Sequence, residues 1–298
     1  MLQRVLEHAG RLIPAERRFP TERRIRGWFD QQRLARADCA VVSFGKSGRT
    51  WVRVMISRLY QLIYELPSEE LLEFGNYHRR DKRIPRILFT HDNYLRDYTG
   101  DGVSKRAYAD KPVVLLVRHP ADVTMSQYFQ WKHRMRPHKV ALNEYPDVAT
   151  GLGPYEFMMG ASGLKKVIEF LNEWDDALRS RSRSLVIRYE DLRADTPAQL
   201  RKLATFLELA PSDDVIHSTV KYAAFENMKQ REAEAQSDSD RLRAKDLSNP
   251  DSFKTRRGKV GGWTDYFEDA QCAAISAVVE ATLRPSYDYH GSYHEQHH

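Results

Sequence analysis

A chain of 298 residues that is 41 % apolar, with five Trp, fifteen Tyr and twelve Phe, has ample material for a packed core, and wholesale disorder is excluded. Its two cysteines, Cys39 and Cys272, lie far apart without paired spacing, which excludes a disulfide framework or a thiolate metal centre and suits a reducing compartment. The net charge of +6 is gathered in residues 1–36, where nine Arg face four acids, and no apolar run approaches the roughly 20 residues of a membrane span.

The N-terminus lacks the apolar core of a signal peptide, so a cytoplasmic location is expected. Residues 1–37 read as a basic extension packing on or near the core. Arg23, Arg24, Arg26, Arg33 and Arg36 form a solvated face there, with weak contact to an anionic membrane surface as the second reading; no nucleic-acid partner is expected. From 38 to 285 the length suits one α/β domain. Residues 286–298 are expected to form a disordered tail; His294-Glu295-Gln296-His297-His298 matches a zinc-protease pattern in letters only, because a frayed terminus offers neither third ligand nor folded helix.

Along this domain, Ala40 to Phe44 reads as a buried strand running into Gly45-Lys46-Ser47-Gly48, followed by helical spacing from Trp51 to Tyr64. Ile84–Phe89 and Pro112–Val117 resemble further strands, the second feeding a helix that starts near Pro120. Ser184–Ile187 is a fourth, ahead of a helix from Pro197 to Leu207. Alternation of strand and helix predicts an α/β fold of P-loop-like type: a mostly parallel central sheet with helices on both faces, and ligands at the carboxyl ends of the strands. The aperiodic stretch from Lys132 to Gly160 reads as loops above the sheet, where Trp131, Tyr145, Tyr155, Phe157 and Met158 either line an acceptor pocket or belong to the core. Gln230 to Val260 is a long polar stretch.

A strand-to-helix turn presents unpaired N–H groups and the positive end of the helix dipole to an anion. In Gly45-Lys46-Ser47-Gly48-Arg49-Thr50 the glycines permit close approach, Lys46 adds a charge, and Ser47 and Thr50 add hydroxyl donors. The nucleotide-kinase loop carries its Lys after the second Gly, whereas Lys46 precedes Gly48. With Trp51 following, the stretch resembles the P-K-S-G-T-T-W loop of the cytosolic-type sulfotransferases, with Gly45 in place of Pro and Arg49 in place of the first Thr.

Four other stretches carry the same resemblance in the same chain order. Arg118-His119-Pro120 through Ser126 is similar to the family's R-N-P-x-D-x-x-x-S, which implies that Arg118 and Ser126 hold the 3′-phosphate of 3′-phosphoadenosine 5′-phosphosulfate (PAPS). The alternative is that Arg118 pairs with Asp122 and Ser126 merely packs. Tyr189-Glu190-Asp191-Leu192 resembles Y-E-D-L and places Tyr189 at adenine, while Glu190 and Asp191 read as acids at a helix start. Ala223-Ala224-Phe225-Glu226-Asn227-Met228 resembles T-S-F-x-x-M, making Phe225 and Trp51 the adenine stack, and Arg256-Arg257-Gly258 resembles the family's closing loop over the 3′-phosphate.

Thr90-His91 stands where the family has K-T-H, with Phe89 in place of the lysine, and the resemblance implies that His91 is the general base. A neutral imidazole, ordinarily titrating near ~6.5, can take the proton of an acceptor hydroxyl. The implied enzyme is a PAPS-dependent sulfotransferase that works by in-line displacement, yielding 3′,5′-bisphosphoadenosine (PAP). Lys46 then faces the leaving oxygen, Ser126 holds Lys46 aside until an acceptor arrives, Arg49 offsets the missing lysine, and no metal is required. A Mg²⁺-dependent P-loop kinase of a small alcohol, using Glu190 or Asp191, is the rival reading. The acceptor is a small molecule, a glycan or a glycolipid; the T-V-x-x-x-E stretch through which many family members pair is missing after Trp263, which leaves the oligomeric state open.

Overall fold

The computed structural model of the protein describes residues 14–68, 70–100, 104–233 and 258–291. Arg256 and Arg257, most of the polar stretch after Gln230, and the histidine-rich end lie outside the described residues.

Four parallel strands, β1 (Cys39–Ser43), β2 (Ile87–Thr90), β3 (Val113–Val117) and β4 (Ser184–Arg188), form one sheet in the order β2-β1-β3-β4. The expected strand from Ile84 begins three residues later, because Pro85 has no N–H to give to the ladder. Side chains alternate between two cores, as period two requires. Ala40, Val42, Val113, Leu115 and Val117 face one core, and Val41, Val114, Leu116 and Ile187 face the other. Helix α2 (Arg49–Ile63) packs on the second face and α3 (Pro120–His133) on the first, with Pro120 at the first helical position of α3. Because β1 leads toward β2 on one side while β3 lies on its other side, the strand order reverses between β1 and β3. A crevice opens there above their carboxyl ends.

Helix α1 (Ala15–Arg36) lies across the first core. Gly27 permits the approach, since a Cβ there would sit 2.1 Å from the Tyr94 carbonyl oxygen. Arg23 pairs with Asp97 at 2.7 Å and Arg26 with Glu22 at 2.5 Å, while Arg24 and Arg36 are exposed. The stretch expected as loops contains short helices, Pro137–Leu142 and Pro154–Met159; Trp131, Phe157 and Met158 are buried in the core, and Tyr145 and Tyr155 pack against it. Residues 286–291 do not trail away as expected: Tyr287 and Tyr289 are buried, their hydroxyls donating to Leu171 O and to Glu190 Oε2, both at 2.8 Å. No helix among the described residues is long and apolar enough to cross a membrane.

Candidate active site

The β1–α2 turn is shaped by two left-handed residues, Lys46 at φ 73° and Gly48 at φ 93°. Gly48 is required twice over, by its backbone angle and because a Cβ would lie 2.8 Å from the Tyr189 ring. Ser47 is buried beneath the turn, whereas Lys46, Gly48, Arg49, Thr50 and Trp51 line a cleft of about 320 Å³ at the crevice. His91, Arg118, Ser126, Tyr189, Phe225 and Gly258 line the same cleft. Residues separated by as much as two hundred positions therefore meet around one volume.

His91 follows the end of β2, and its ring is held from below: Nδ1 lies 2.8 Å from Ser43 O. A carbonyl can only accept, so Nδ1 carries the proton and the Nε2 lone pair points away from the strand. Arg49 Nη2 donates to that Nε2 at 2.7 Å. Phe89, which stands where the resembling family has a lysine, lies under the buried Arg53, whose guanidinium carbon is 4.1 Å from the ring centroid.

Arg118 leaves β3 with its side chain only 12 % exposed. It donates to Lys46 O at 3.4 Å and Lys259 O at 3.2 Å, stacks on the Tyr189 ring at 4.4 Å, and pairs with Asp122 at 3.4 Å. Burial works against its charge, but Asp122, Tyr189 and Glu190 carry its pKa above the usual arginine value. The expected pairing of Arg118 with Asp122 is present, and the same guanidinium lines the cleft. Its Nε is buried without a hydrogen-bond partner, and a second such orphan, His119 Nδ1, lies beside it. A buried guanidinium with an unmet donor, beside a turn of N–H groups at a helix start, fits a phosphate-bearing ligand.

Asp122 does more than pair. Its two carboxylate oxygens accept the N–H groups of Gly261, at 2.9 Å, and Trp263, at 3.0 Å, and so fix the end of the closing loop to α3. Gly258 packs that loop on the aromatic wall: at φ 61°, a Cβ would lie 2.6 Å from the Phe225 ring. Trp51 is set by its Nε1–H, which donates to Ala223 O at 2.7 Å, and Arg193 lies 5.8 Å from both the Trp51 and the Phe225 rings. Arg193, Gln130, Lys259 and Tyr266 line the cleft without having been singled out in the sequence. Arg193 had a signal, since it follows directly on Tyr189-Glu190-Asp191-Leu192.

Glu190 and Asp191 stand in the first turn of α4 (Tyr189–Ala194). Glu190 accepts from the His119 N–H at 2.9 Å and the Tyr289 hydroxyl at 2.8 Å, and Asp191 pairs with Arg188 at 3.4 Å. Each of the two acids that the kinase reading offered as its alternative Mg²⁺ ligands is thus engaged by the protein.

Fold and site together bring a strand-to-helix turn, a buried arginine and a histidine held by a strand carbonyl to one crevice of an α/β domain. The family model for the sulfotransferase domain matches residues 36–286, and the chain belongs to that family. Sulfotransferase 2A2 of Rattus norvegicus is 25 % identical over 260 residues, which cover 83 % of this chain and 84 % of the relative. The 3-beta-hydroxysteroid sulfotransferase of Cavia porcellus is 24 % identical over 256 residues, covering 83 % of each. A mouse sulfotransferase complexed with PAP shares the fold with a TM-score of 0.55 at 21 % identity, over 84 % of this chain and 86 % of that one. The protein is a PAPS-dependent sulfotransferase, and the kinase reading is set aside.

Proposed function

We propose that the cleft sulfates the hydroxyl of a small molecule with His91 as general base. The observation that carries this reading is the meeting, in one cleft, of the Nε2 side of His91 with the β1–α2 turn and Arg118. When bound, PAPS supplies the sulfuryl group and leaves as PAP. His91 Nε2 takes the acceptor's hydroxyl proton as its oxygen bonds to sulfur, and Nδ1–H on Ser43 O holds the ring in place while charge develops. Lys46 faces the oxygen that leaves with the electron pair, and the N–H groups of Ser47, Gly48, Arg49 and Thr50 hold the 5′ side. Arg118 and Ser126 take the 3′-phosphate, joined by Arg256, Arg257 and Gly258; Trp51, Tyr189 and Phe225 enclose the adenine. Ser126 also restrains Lys46 before an acceptor arrives.

Support for a small acceptor comes from the cleft itself, where Met125, Trp263 and Tyr266 add apolar surface, and from a relative named for steroid hydroxyls. Buried free thiols at Cys39 and Cys272 suit a cytoplasmic setting. The test is His91→Ala, assayed as sulfate mass gain in an extract containing both small molecules and glycans, supplied with PAPS. The variant should lose turnover by about 100-fold or more while PAP affinity stays nearly intact. Equal loss of both would remove His91 from the base role, and mass gain confined to glycans would overturn the acceptor class.

A further inference from the structure

Among the described residues, five cationic side chains line the cleft: Lys46, Arg49, Arg118, Arg193 and Lys259. Arg118 is bound to backbone carbonyls and Asp122, Lys259 pairs with Asp265 at 2.7 Å, and Arg193 lies against the aromatic rings of the adenine wall. Arg53, the next cation along the same face of α2, is tied to Leu72 O at 3.0 Å and to Glu73 at 2.8 Å and lies over the Phe89 ring. Arg49 is different in kind, because its guanidinium donates straight to the nitrogen that must accept a proton.

That contact cannot survive the reaction. Once Nε2 is protonated it has no lone pair left to accept from Arg49, and two unit positive charges would face each other at 2.7 Å. An acceptor hydroxyl must also occupy the same lone pair before it can give up its proton. The side chain that makes way carries a planar fork of donors with a permanent charge. From Nε2 the sulfur under attack is only one acceptor oxygen away, so the sulfuryl oxygens fall within reach of a modest swing.

We propose that Arg49 is a two-position catalytic residue: it covers the base in the free enzyme and moves onto the sulfuryl oxygens when an acceptor displaces it. This rests on the assignment of His91 as base. Covering Nε2 keeps the base from water until the acceptor is seated, and the displaced guanidinium offsets the charge spread over the transferring group. The bonds formed and broken are those of the transfer already described: the proton goes to Nε2, sulfur gains the acceptor oxygen, and the phosphate oxygen departs with its electron pair. Arg49 itself gives up no proton.

The test compares wild type with Arg49→Ala and Arg49→Lys. The first readout needs no turnover: ligand-free protein is treated with diethyl pyrocarbonate and carbethoxylation of His91 is followed by mass spectrometry. Uncovering Nε2 in Arg49→Ala should speed labelling several-fold. The second readout is single-turnover rate against PAP affinity. Arg49→Ala should be slower by about 100-fold with PAP affinity within about threefold, and Arg49→Lys should recover part of the rate. Unchanged labelling together with an unchanged rate would overturn the proposal. Equal losses in rate and PAP affinity would make Arg49 a donor-binding residue instead. A raised KM confined to acidic acceptors, with kcat kept, would make it an acceptor clamp. Should His91→Ala retain turnover, the base assignment fails on its own, and the Arg49→Ala rate then reports solely on the sulfuryl contact.

Discussion

The chemistry turns on single side chains whose freedom has been removed by contacts below the cleft. His91 is set by a carbonyl of the neighbouring strand, and Trp51 by the Ala223 carbonyl at 2.7 Å, so both rings present a fixed face to the cleft. Gly258 does the same for the closing loop through an absence. Adding a methyl in a left-handed conformation costs about 1 kcal/mol and here also drives Cβ into the Phe225 ring. Gly258→Ala should therefore weaken PAP binding by roughly tenfold or more, measured by titration, while the melting temperature hardly moves. Wild-type affinity in that variant would mean that the loop does not rest on Phe225 when nucleotide is bound.

At the scale of elements, the strand–turn–helix units were legible because each is continuous in sequence. Val41-Val42 into Gly45-Lys46 and Leu116-Val117 into Arg118-His119-Pro120 declare a buried strand, a stop and a helix start within a dozen residues. Helices such as Pro137–Leu142 and Pro154–Met159 were not, since six residues are under two turns and carry no readable period. Nor could sequence show that Asp122 holds Gly261 and Trp263 across some 140 positions, or that Tyr287 and Tyr289 end in the core. The Arg49 contact with His91 was equally hidden, being a matter of side-chain direction between two elements. Asp122→Ala leaves the N–H groups of Gly261 and Trp263 without their acceptor and Arg118 without its carboxylate partner, at a cost of about 2–3 kcal/mol. It should lower both the melting temperature and PAP affinity. Asp122→Asn, which can still accept through one oxygen, should fall between. If PAP affinity were untouched in both variants, the loop would close without α3.

Over the whole molecule, the start of α3, the segment at Trp263 and the C-terminal end meet in a buried cluster whose charge state is pH-dependent. His119 lies parallel to Trp263 at 5.9 Å and edge-on to Tyr289 at 5.4 Å, and burial lowers its pKa to about 4. The unfolded ring takes up a proton near 6.5 and the folded ring only near 4, so between these values the unfolded state binds more protons. Stability contributed by the neutral ring is thus present above 6.5 and lost as pH falls toward 4, by up to about 3 kcal/mol. Urea denaturation across that range should show the loss in wild type and not in His119→Asn; parallel curves for the two proteins would place the acid sensitivity elsewhere.

Sulfuryl transfer from PAPS at this cleft requires one cradle that reads both phosphates of an adenosine bisphosphate without a metal. Calorimetric titration in EDTA compares PAP with adenosine 5′-phosphate, on wild type and on Arg118→Ala. The wild type should bind PAP at least about 100-fold more tightly than the monophosphate, with most of that difference lost in the variant. Equal binding of the two nucleotides by the wild type, or binding that appears only with Mg²⁺, would contradict it.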